Sequence, residues 1–253
     1  MQGTSKIIAI GGGEIGRPGY PVETTAIAKE IIHLSGKQHP RLLFIPTASN
    51  DAEGYVATVK EHFGKRLGCR VDTLLLVRER LDRQSVSEKV RRADIIYVGG
   101  GNTFKMLQVW KRFGVDKLLL KAHNQGKVMC GLSAGAICWF RYGSSDFRVF
   151  QKGRRKDYAR VRGLNLVNLT VSPHHIRERK RKAGLVRLMH RTGGIGVALD
   201  DFSALEIIGS RFRIITSRPH AGAHRVFFKK GKVYYQPIPK SRVLVPLEVL
   251  HKR

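Results

Sequence analysis

The stretch CGLSAGAIC, residues 130–138, places a serine inside a Gly-x-Ser-x-Gly frame with apolar residues on both sides. When a strand turns directly into a helix, the residue at the turn is held in a strained backbone, and small neighbours relieve the crowding. Gly131, Ala134 and Gly135 supply those small neighbours. The pattern therefore predicts that the Ser133 hydroxyl projects from a sheet edge as a nucleophile. A small-residue packing turn is the alternative.

An acyl-transfer serine needs hydrogen-bond donors for the oxyanion that develops on its substrate. The amide of Ala134, directly after the serine, is one candidate. A second glycine-rich stretch, YVGGGNTF at residues 97–104, lets backbone approach a substrate closely, so Gly100 or Gly101 is a candidate for the other donor. Asn102 in the same stretch would cap the next helix or bind substrate.

A serine nucleophile also needs a base, and the chain has 10 histidines. In TVSPHH, residues 170–175, an apolar strand ends in a proline followed by two histidines. His174 follows the proline directly, which constrains its orientation, so we expect the base there. A loop histidine whose hydrogen bonds are satisfied locally is the alternative.

The base in turn needs an acid, which holds its tautomer and stabilises the imidazolium. The candidates are Asp200 and Asp201 in GVALDDFSAL and Asp146 in YGSSDF. Asp201 gives the chain order Ser–His–Asp, whereas Asp146 gives the order Ser–Asp–His of α/β-hydrolases. Spacing alone does not choose between them.

Elements that would position these residues alternate between short apolar runs and amphipathic helical stretches. The predicted strands fall at residues 6–13, 41–49, 71–77, 94–102 and 127–135. Continuous apolar strands alternating with helices indicate a parallel sheet covered on both faces. Right-handed crossovers place the carboxyl ends of such strands on one edge, where ligand sites lie. Three glycine-rich strand ends, at 11–13, 99–101 and 131–135, therefore meet at the predicted site.

The segment after residue 160 has a different texture, with several short strands that look antiparallel. The last of them form a predicted hairpin that turns at Lys230–Gly231. We find no linker, repeat or low-complexity segment. The sequence therefore predicts one α/β domain over residues 1–253, with a single mixed sheet.

The composition is unusually basic, with 47 Lys and Arg residues against 19 acidic ones and a formal net charge of +28. Because the basic residues are spread along the whole chain, we expect a solvated surface with at most nonspecific nucleic-acid contacts. No zinc-finger spacing or aromatic RNA-binding signature accompanies the charge. A mononucleotide site is disfavoured, since GGGEIG at 11–16 lacks the spacing of a dinucleotide fingerprint.

The compartment is predicted from what the chain lacks. It has no run of 18 apolar residues, so no membrane span is expected. The first residues, MQGTSKIIAIGGG, lack the features of a secretory signal. Three cysteines without metal-like spacing indicate a reduced, metal-free cytoplasmic protein. The sequence leaves open whether it is a monomer or a homodimer.

Six motifs taken in order resemble the peptidase E family of α-aspartyl dipeptidases, which is related to cyanophycinase. These motifs are IIAIGGGEI, FIPTAS, IIYVGGGNTF, GLSAGAICWF, SPHH and ALDDFSALEI, and they span nearly the whole chain. The resemblance implies a flavodoxin-like or glutamine-amidotransferase-like α/β fold. It also implies a serine peptidase that cleaves dipeptides with an N-terminal aspartate and needs no metal or cofactor.

The resemblance assigns roles by motif. It implies Ser133 as nucleophile, His174 as base, Asp201 as acid (Asp200 if the motif is shifted by one residue), Asp146 as a triad member or substrate contact, Gly101 and Ala134 as oxyanion donors, and Arg181 as a substrate-binding residue. Arg179 is the second choice for the arginine that would bind the aspartate side chain.

Two departures from the family pattern bear on the substrate. His175 stands where relatives often have tyrosine or phenylalanine, and the following segment IRERKRKAGL is strongly basic. An isoaspartyl or cyanophycin-like peptide is therefore an alternative substrate. From a different class, the chain could be a basic nucleic-acid-binding relative without turnover.

Overall fold

A computed structural model describes residues 3–146, 158–175 and 179–252. The strands are β1 (Lys6–Ile10), β2 (Arg41–Ile45), β3 (Arg70–Thr73), β4 (Ile95–Val98), β5 (Val128–Leu132), β6 (Phe140–Ser145), β7 (Ala159–Arg162), β8 (Val167–Ser172), β9 (Gly196–Leu199), β10 (Ser203–Ile208), β11 (Arg211–Thr216), β12 (Ala223–Lys229), β13 (Lys232–Ile238) and β14 (Val245–Pro246). The α-helices are α1 (Thr25–Leu34), α2 (Glu53–Val59), α3 (Arg83–Arg92), α4 (Thr103–Phe113), α5 (Val115–Asn124), α6 (Ala134–Ile137), α7 (Arg179–Thr192) and α8 (Glu248–His251). A 3-10 turn (Thr47–Ser49) precedes α2, and a π-helix (Lys60–Arg66) continues it.

The larger sheet has eight strands in the order β14-β11-β10-β1-β5-β4-β2-β3. Strands β1 to β5 are parallel, and β10, β11 and β14 extend the sheet antiparallel from the far side of β1. The predicted mixed α/β fold, with a parallel core and C-terminal antiparallel strands, is confirmed.

Helices cover both faces of this sheet, as the side chains of β1 illustrate. Ile7 packs in one hydrophobic cluster with residues of α3, α4 and α5, whereas Ile8 packs in another with residues of α1 and the π-helix. Successive strand residues point to opposite faces, so a strand covered on both sides must be apolar throughout. This burial explains the unbroken apolar runs in the sequence.

A second sheet of six strands, in the order β13-β12-β9-β8-β6-β7, replaces the single mixed sheet that we expected. The reason lies in α6, which is only four residues long. A parallel strand can return to the same sheet only through a crossover of a dozen or more residues. The chain after α6 therefore starts a new layer, and Trp139 and Phe140 are buried at that point in the cluster that contains Ile7.

Two local predictions have different outcomes. The hairpin is confirmed, because Lys230 (φ 49°) and Gly231 (φ 73°) both take positive φ between β12 and β13, as a two-residue turn requires. The strand predicted at 71–77 is wrong in its second half, since β3 ends at Thr73. The Val77 amide donates instead to the buried Asp51 carboxylate, at 2.6 Å, so the chain has left the ladder.

Candidate active site

Ser133 lies at the turn where the chain leaves the larger sheet between β5 and α6. Its backbone has φ 58° and ψ −109°, a conformation that strongly favours glycine. The amide of Ser133 donates to the Ile10 carbonyl at 3.0 Å, which fixes the turn against β1. A Cβ on Gly131 would come within 2.5 Å of the Gly135 carbonyl oxygen, and one on Gly135 within 2.1 Å of the Val98 carbonyl oxygen. The small residues of the motif are thus required by close backbone packing.

His174 reaches this serine from the second sheet. It follows Pro173 at the end of β8 and has φ 148°, again in the region that favours glycine. Its Nε2 lies 2.6 Å from Ser133 Oγ, which is hydrogen-bonding distance for transfer of the hydroxyl proton. The two side chains therefore meet at the seam between the sheets.

Asp201 completes the contact from the segment that returns the chain from β9 to the larger sheet. Its Oδ1 lies 2.7 Å from His174 Nδ1, and the residue is 8% exposed. Phe202, the next residue, has φ 66°, and its amide donates to the Gly12 carbonyl at 3.0 Å. If Nδ1–H donates to Asp201, then His174 Nε2 is the acceptor of a hydrogen bond from the Ser133 hydroxyl.

Gly12 follows the end of β1 by two residues and lies directly against the His174–Asp201 pair. A Cβ at this position would be 1.8 Å from Asp201 Oδ1 and 2.4 Å from His174 Nδ1. No residue other than glycine fits without displacing one of the two side chains.

The other two candidate acids lie elsewhere. Asp200 Oδ2 accepts a hydrogen bond from the Gly222 amide at 2.9 Å. Asp146 faces Arg181, with Oδ2 and Nη2 3.6 Å apart. Among the described residues, Asp201 is thus the candidate acid that contacts His174.

Arg181 is buried, with 2% of its surface exposed. It donates to the Ser144 carbonyl at 3.2 Å and stacks over the Tyr158 ring at 4.8 Å. These contacts hold β6 and the start of β7 against α7. Neither Arg181 nor Asp146 is among the described residues that line the cleft in front of Ser133. The second-choice Arg179 begins α7, but its side chain is outside the described part of the chain.

Asn102 caps α4, since its Oδ1 accepts from the Lys105 amide at 3.0 Å. The backbone amide of Asn102 donates to the Ala48 carbonyl at 2.8 Å. Both groups are therefore engaged in local structure, which matches the capping alternative.

The candidate oxyanion donors flank the serine. The Ala134 amide opens α6 directly after Ser133. Gly101 has φ 136° and lies against Ala48, whose carbonyl oxygen would be 2.2 Å from an added Cβ. Gly100 lies beside the serine, because a Cβ there would be 3.4 Å from Ser133 Cβ.

The Gly100 amide donates to the Tyr55 hydroxyl at 3.3 Å, and burial raises the pKa of that phenol, which keeps it protonated. Tyr55 and Gly100 both line the cleft. The structure thus brings a second backbone amide and a phenol to the side of Ser133.

The Ser133 cleft has a volume of about 580 Å³. Besides Ser133 and His174 it is lined by apolar, glycine and tyrosine residues, by Thr58, and by two charged side chains, Glu14 and Arg17, from the loop after β1. The sequence placed the glycines at 11–13 at this sheet edge without a particular role for Gly12, and it did not single out Glu14, Arg17 or Tyr55. The available signal was the position of GGGEIGRPGYP at a strand end on the same sheet edge as the serine.

A cluster of rings, those of His175, His224 and Tyr235, includes the residue that directly follows His174. His175 Nε2 hydrogen-bonds the Tyr235 hydroxyl, and the His175 and His224 rings lie 5.5 Å apart. Lys182 Nζ sits over the Tyr235 ring at 4.5 Å. Burial first, and then the positive groups nearby, lower the pKa of His175 to about 4. His175 is therefore held neutral, next to the candidate base in sequence but facing the second sheet.

Among the residues that the structure describes, no group of three or more His, Cys, Asp or Glu side chains is arranged to hold a metal ion. None of the helices in the described ranges has the length and apolar character of a membrane span.

The sequence comparison places this fold and site in a family of peptidases. The profile of peptidase family S51 matches residues 7–215, so the chain belongs to that family.

Individual proteins that the chain resembles are also named as peptidases. The uncharacterized peptidase YgaJ of Bacillus subtilis is 32% identical over 238 residues, which are 92% of this chain and 97% of YgaJ. The crystal structure of a peptidase from an acI-B1 Actinobacterium has a TM-score of 0.70 at 20% identity and covers 96% of this chain and 97% of its own. A candidate peptidase E of Listeria monocytogenes has a TM-score of 0.63 at 22% identity, covering 84% and 98%. At these identities the two structures support the fold alone.

Proposed function

We propose that this peptidase is a serine-type dipeptidase that removes an N-terminal aspartate through an acyl-enzyme on Ser133. The observation that carries the proposal is the continuous chain of contacts from Ser133 Oγ through His174 to Asp201, at 2.6 and 2.7 Å. Nucleophile, base and orienting acid in hydrogen-bonding contact are the arrangement that acyl transfer by serine requires.

In the proposed reaction, Ser133 Oγ attacks the peptide carbonyl carbon while His174 Nε2 takes the hydroxyl proton. Asp201 stabilises the imidazolium through Nδ1–H. The oxyanion accepts hydrogen bonds from the Ala134 amide and from an amide of the glycine stretch, either Gly101 by family resemblance or Gly100, whose N–H would then exchange the Tyr55 hydroxyl for the oxyanion. His174 then donates its proton to the leaving amine, and a water molecule hydrolyses the acyl ester by the same proton path.

The preference for aspartate rests on the resemblance to peptidase E. The resemblance implies an arginine of α7, Arg181 or Arg179, as the group that binds the substrate carboxylate. The buried contacts of Arg181 with Ser144 and Asp146 favour an indirect role, in which it shapes β6 rather than meets the substrate.

The test is hydrolysis of Asp-Leu by the purified chain, compared with the Ser133→Ala variant. We expect release of aspartate by the wild type and none by the variant, with mass spectrometry of wild type incubated with a slow ester substrate detecting an acyl adduct on Ser133. Full activity in Ser133→Ala would refute the proposal. A panel of Asp-Leu, Glu-Leu and isoAsp-Leu separates an α-aspartyl enzyme from an isoaspartyl or cyanophycin-like hydrolase of the same fold.

A second proposal follows from the net charge of +28, which favours nonspecific contact with nucleic acid. Binding of a mixed-sequence duplex should weaken steeply between 50 and 200 mM salt, as counterion release requires. Binding that is insensitive to salt would argue against it. Binding together with peptidase turnover would indicate a surface property of an active enzyme. Binding without turnover would indicate a nucleic-acid-binding relative that is not a catalyst.

We also propose the cytoplasm as the compartment. Cys69, Cys130 and Cys138 are all buried and unpaired, which fits a reducing environment. Sedimentation of the purified chain will distinguish a monomer from a homodimer.

A further inference from the structure

Two charged side chains line the Ser133 cleft apart from the candidate base, and neither has a role in the acyl transfer described above. Glu14 and Arg17 belong to the loop that follows β1 at the edge where the serine lies. The cleft residues around them are otherwise uncharged in the described part of the chain. A dipeptide brings charges of both signs to this cleft, so the pair bears directly on substrate choice.

Internal hydrogen bonds hold the loop in shape. The Glu23 amide donates to the Glu14 carbonyl at 2.8 Å, and the Glu14 amide donates to the Glu23 carboxylate at 3.2 Å. Ile15 and Val22 form an antiparallel bridge between these contacts. The loop therefore presents its side chains to the cleft in a preorganised way, which reduces the entropic cost of binding.

Two side chains, those of Glu14 and Tyr20, hold Arg17 in place at the cleft. Its Nε donates to Glu14 Oε2 at 2.8 Å, and its Nη2 donates to Glu14 Oε1. Its guanidinium lies over the Tyr20 ring, 4.7 Å from the centroid.

Glu14 thus occupies one edge of the guanidinium fork. Within the described residues nothing accepts a hydrogen bond from Nη1, and the Arg17 side chain is 54% exposed. A guanidinium has five N–H donors in a rigid plane and can bind two carboxylates on different edges.

We propose that Arg17 binds a carboxylate of the peptide substrate, with Glu14 as the residue that positions it and competes for its charge; this rests on the proposed dipeptidase function. The carboxylate is either the aspartate side chain or the C-terminal group of the dipeptide. Both present the same planar acceptor to the open edge of the guanidinium. Glu14 holds that plane in place, but its negative charge also opposes entry of an acidic substrate.

This proposal predicts effects of opposite sign from the two members of one ion pair. Arg17→Gln removes the cation, so we expect kcat/KM for Asp-Leu to fall about 10- to 100-fold, chiefly through KM. Glu14→Gln keeps an oxygen acceptor for Arg17 but removes the competing charge, so we expect KM to decrease. If the pair only stabilised the loop, breaking it from either side would impair activity in the same direction.

Helix α3 offers a matched control. Arg91 donates to Glu88 through Nε and Nη2 at 2.8 and 2.7 Å, with the same spacing of three residues and the same fork geometry, away from the cleft. We expect Arg91→Gln and Glu88→Gln to leave the kinetics of Asp-Leu hydrolysis unchanged.

Three substrates identify which carboxylate is bound: Asp-Leu carries both, Ala-Leu only the C-terminal one, and aspartyl p-nitroanilide only the side chain. Ala-Leu is measured as a competitive inhibitor if its turnover is too slow. If Arg17→Gln lowers kcat/KM for the other two substrates but leaves the turnover or inhibition constant of Ala-Leu unchanged, Arg17 binds the aspartate side chain. A penalty absent with the anilide assigns it to the C-terminal carboxylate, and an equal penalty with all three overturns the proposal.

Binding of Asp-Leu to Ser133→Ala, followed by calorimetry, separates this proposal from the proposed function. Loss of binding when Arg17→Gln is added supports the role of Arg17, whatever the turnover of the wild type. Unchanged binding in the double variant, or an increase of KM in Glu14→Gln equal to that in Arg17→Gln, overturns it. A wild type that binds Asp-Leu but does not cleave it would refute the dipeptidase function alone.

Discussion

Gly12 and Asp201 approach so closely that a single methyl group at position 12 would lie 1.8 Å from the Asp201 carboxylate. The same methyl group would lie 2.4 Å from His174 Nδ1. Gly12 follows β1 by two residues, and its lack of a side chain leaves the space that the His174 ring and the Asp201 carboxylate occupy.

Gly12→Ala should consequently lower kcat by about 100-fold or more, because a displacement of about 1 Å at reacting groups has effects of that size. Steady-state kinetics with Asp-Leu measure the loss. Gly64→Ala is the control, since a Cβ there meets its nearest neighbour at an ordinary 3.5 Å. Circular dichroism establishes that both variants fold, and wild-type kinetics in a folded Gly12→Ala variant would contradict the packing argument.

Asp201→Asn should reduce kcat by about 10⁴-fold, because an amide no longer holds His174 in the tautomer that accepts the serine proton. Asp200→Asn should have a much smaller effect on kcat, since Asp200 accepts from the Gly222 amide instead. Comparison of kcat for the two adjacent substitutions distinguishes the candidate acids. Equal losses in both variants would show that the contact between Asp201 and His174 is not decisive.

Ser133→Gly should be more stable than Ser133→Ala, although neither should hydrolyse peptides. The φ of 58° and ψ of −109° at this position cost a residue with a Cβ about 1–3 kcal/mol that glycine does not incur. Denaturant unfolding measures the difference in the free energy of unfolding between the two variants. An alanine variant as stable as the glycine variant would mean that the turn is not strained.

His175 should make the protein less stable in acid. Its pKa in the fold is about 4, below the ordinary value of 6.5, so an unfolded chain binds a proton between those pH values and the folded chain does not. The contribution of neutral His175 to the free energy of unfolding is therefore complete above pH 6.5 and is lost as the pH falls toward 4.

Replacing His175 with phenylalanine should therefore flatten the dependence of Tm on pH. We expect the decrease in Tm between pH 7.5 and 5.0 to be smaller in His175→Phe, because this ring still stacks on Tyr235 but cannot be protonated. His33→Gln, at an exposed position of α1, is the control. An unchanged slope of Tm against pH would show that other groups dominate the acid response.

Much of this protein could be predicted from the sequence because it depends on local patterns. The apolar runs of β1 to β5 can be recognised without coordinates, since a strand buried on both faces has no polar side. The Gly-x-Ser-x-Gly motif around Ser133 could also be recognised in the sequence, because only small residues permit the strand-to-helix turn. The proline before His174 marked the end of a strand, and the turn residues Lys230 and Gly231 marked a hairpin.

The choice among the three aspartates was decided only by the tertiary structure. Asp201 contacts His174 because the chain passes from β9 to the larger sheet at that residue, whereas Asp146 follows β6 and meets Arg181 of α7. Spacing along the chain carries no information about which sheet a strand joins. The second sheet itself follows from the shortness of α6, whose end a linear pattern does not reveal.

The tertiary structure also decided what surrounds the serine. Gly12, Glu14 and Arg17 lie more than a hundred residues before Ser133, and they become its neighbours only because β1 pairs with β5. A local pattern predicts which residues can do chemistry, since reactivity belongs to the side chain and its turn. Their neighbours depend on strand order, which long-range packing determines.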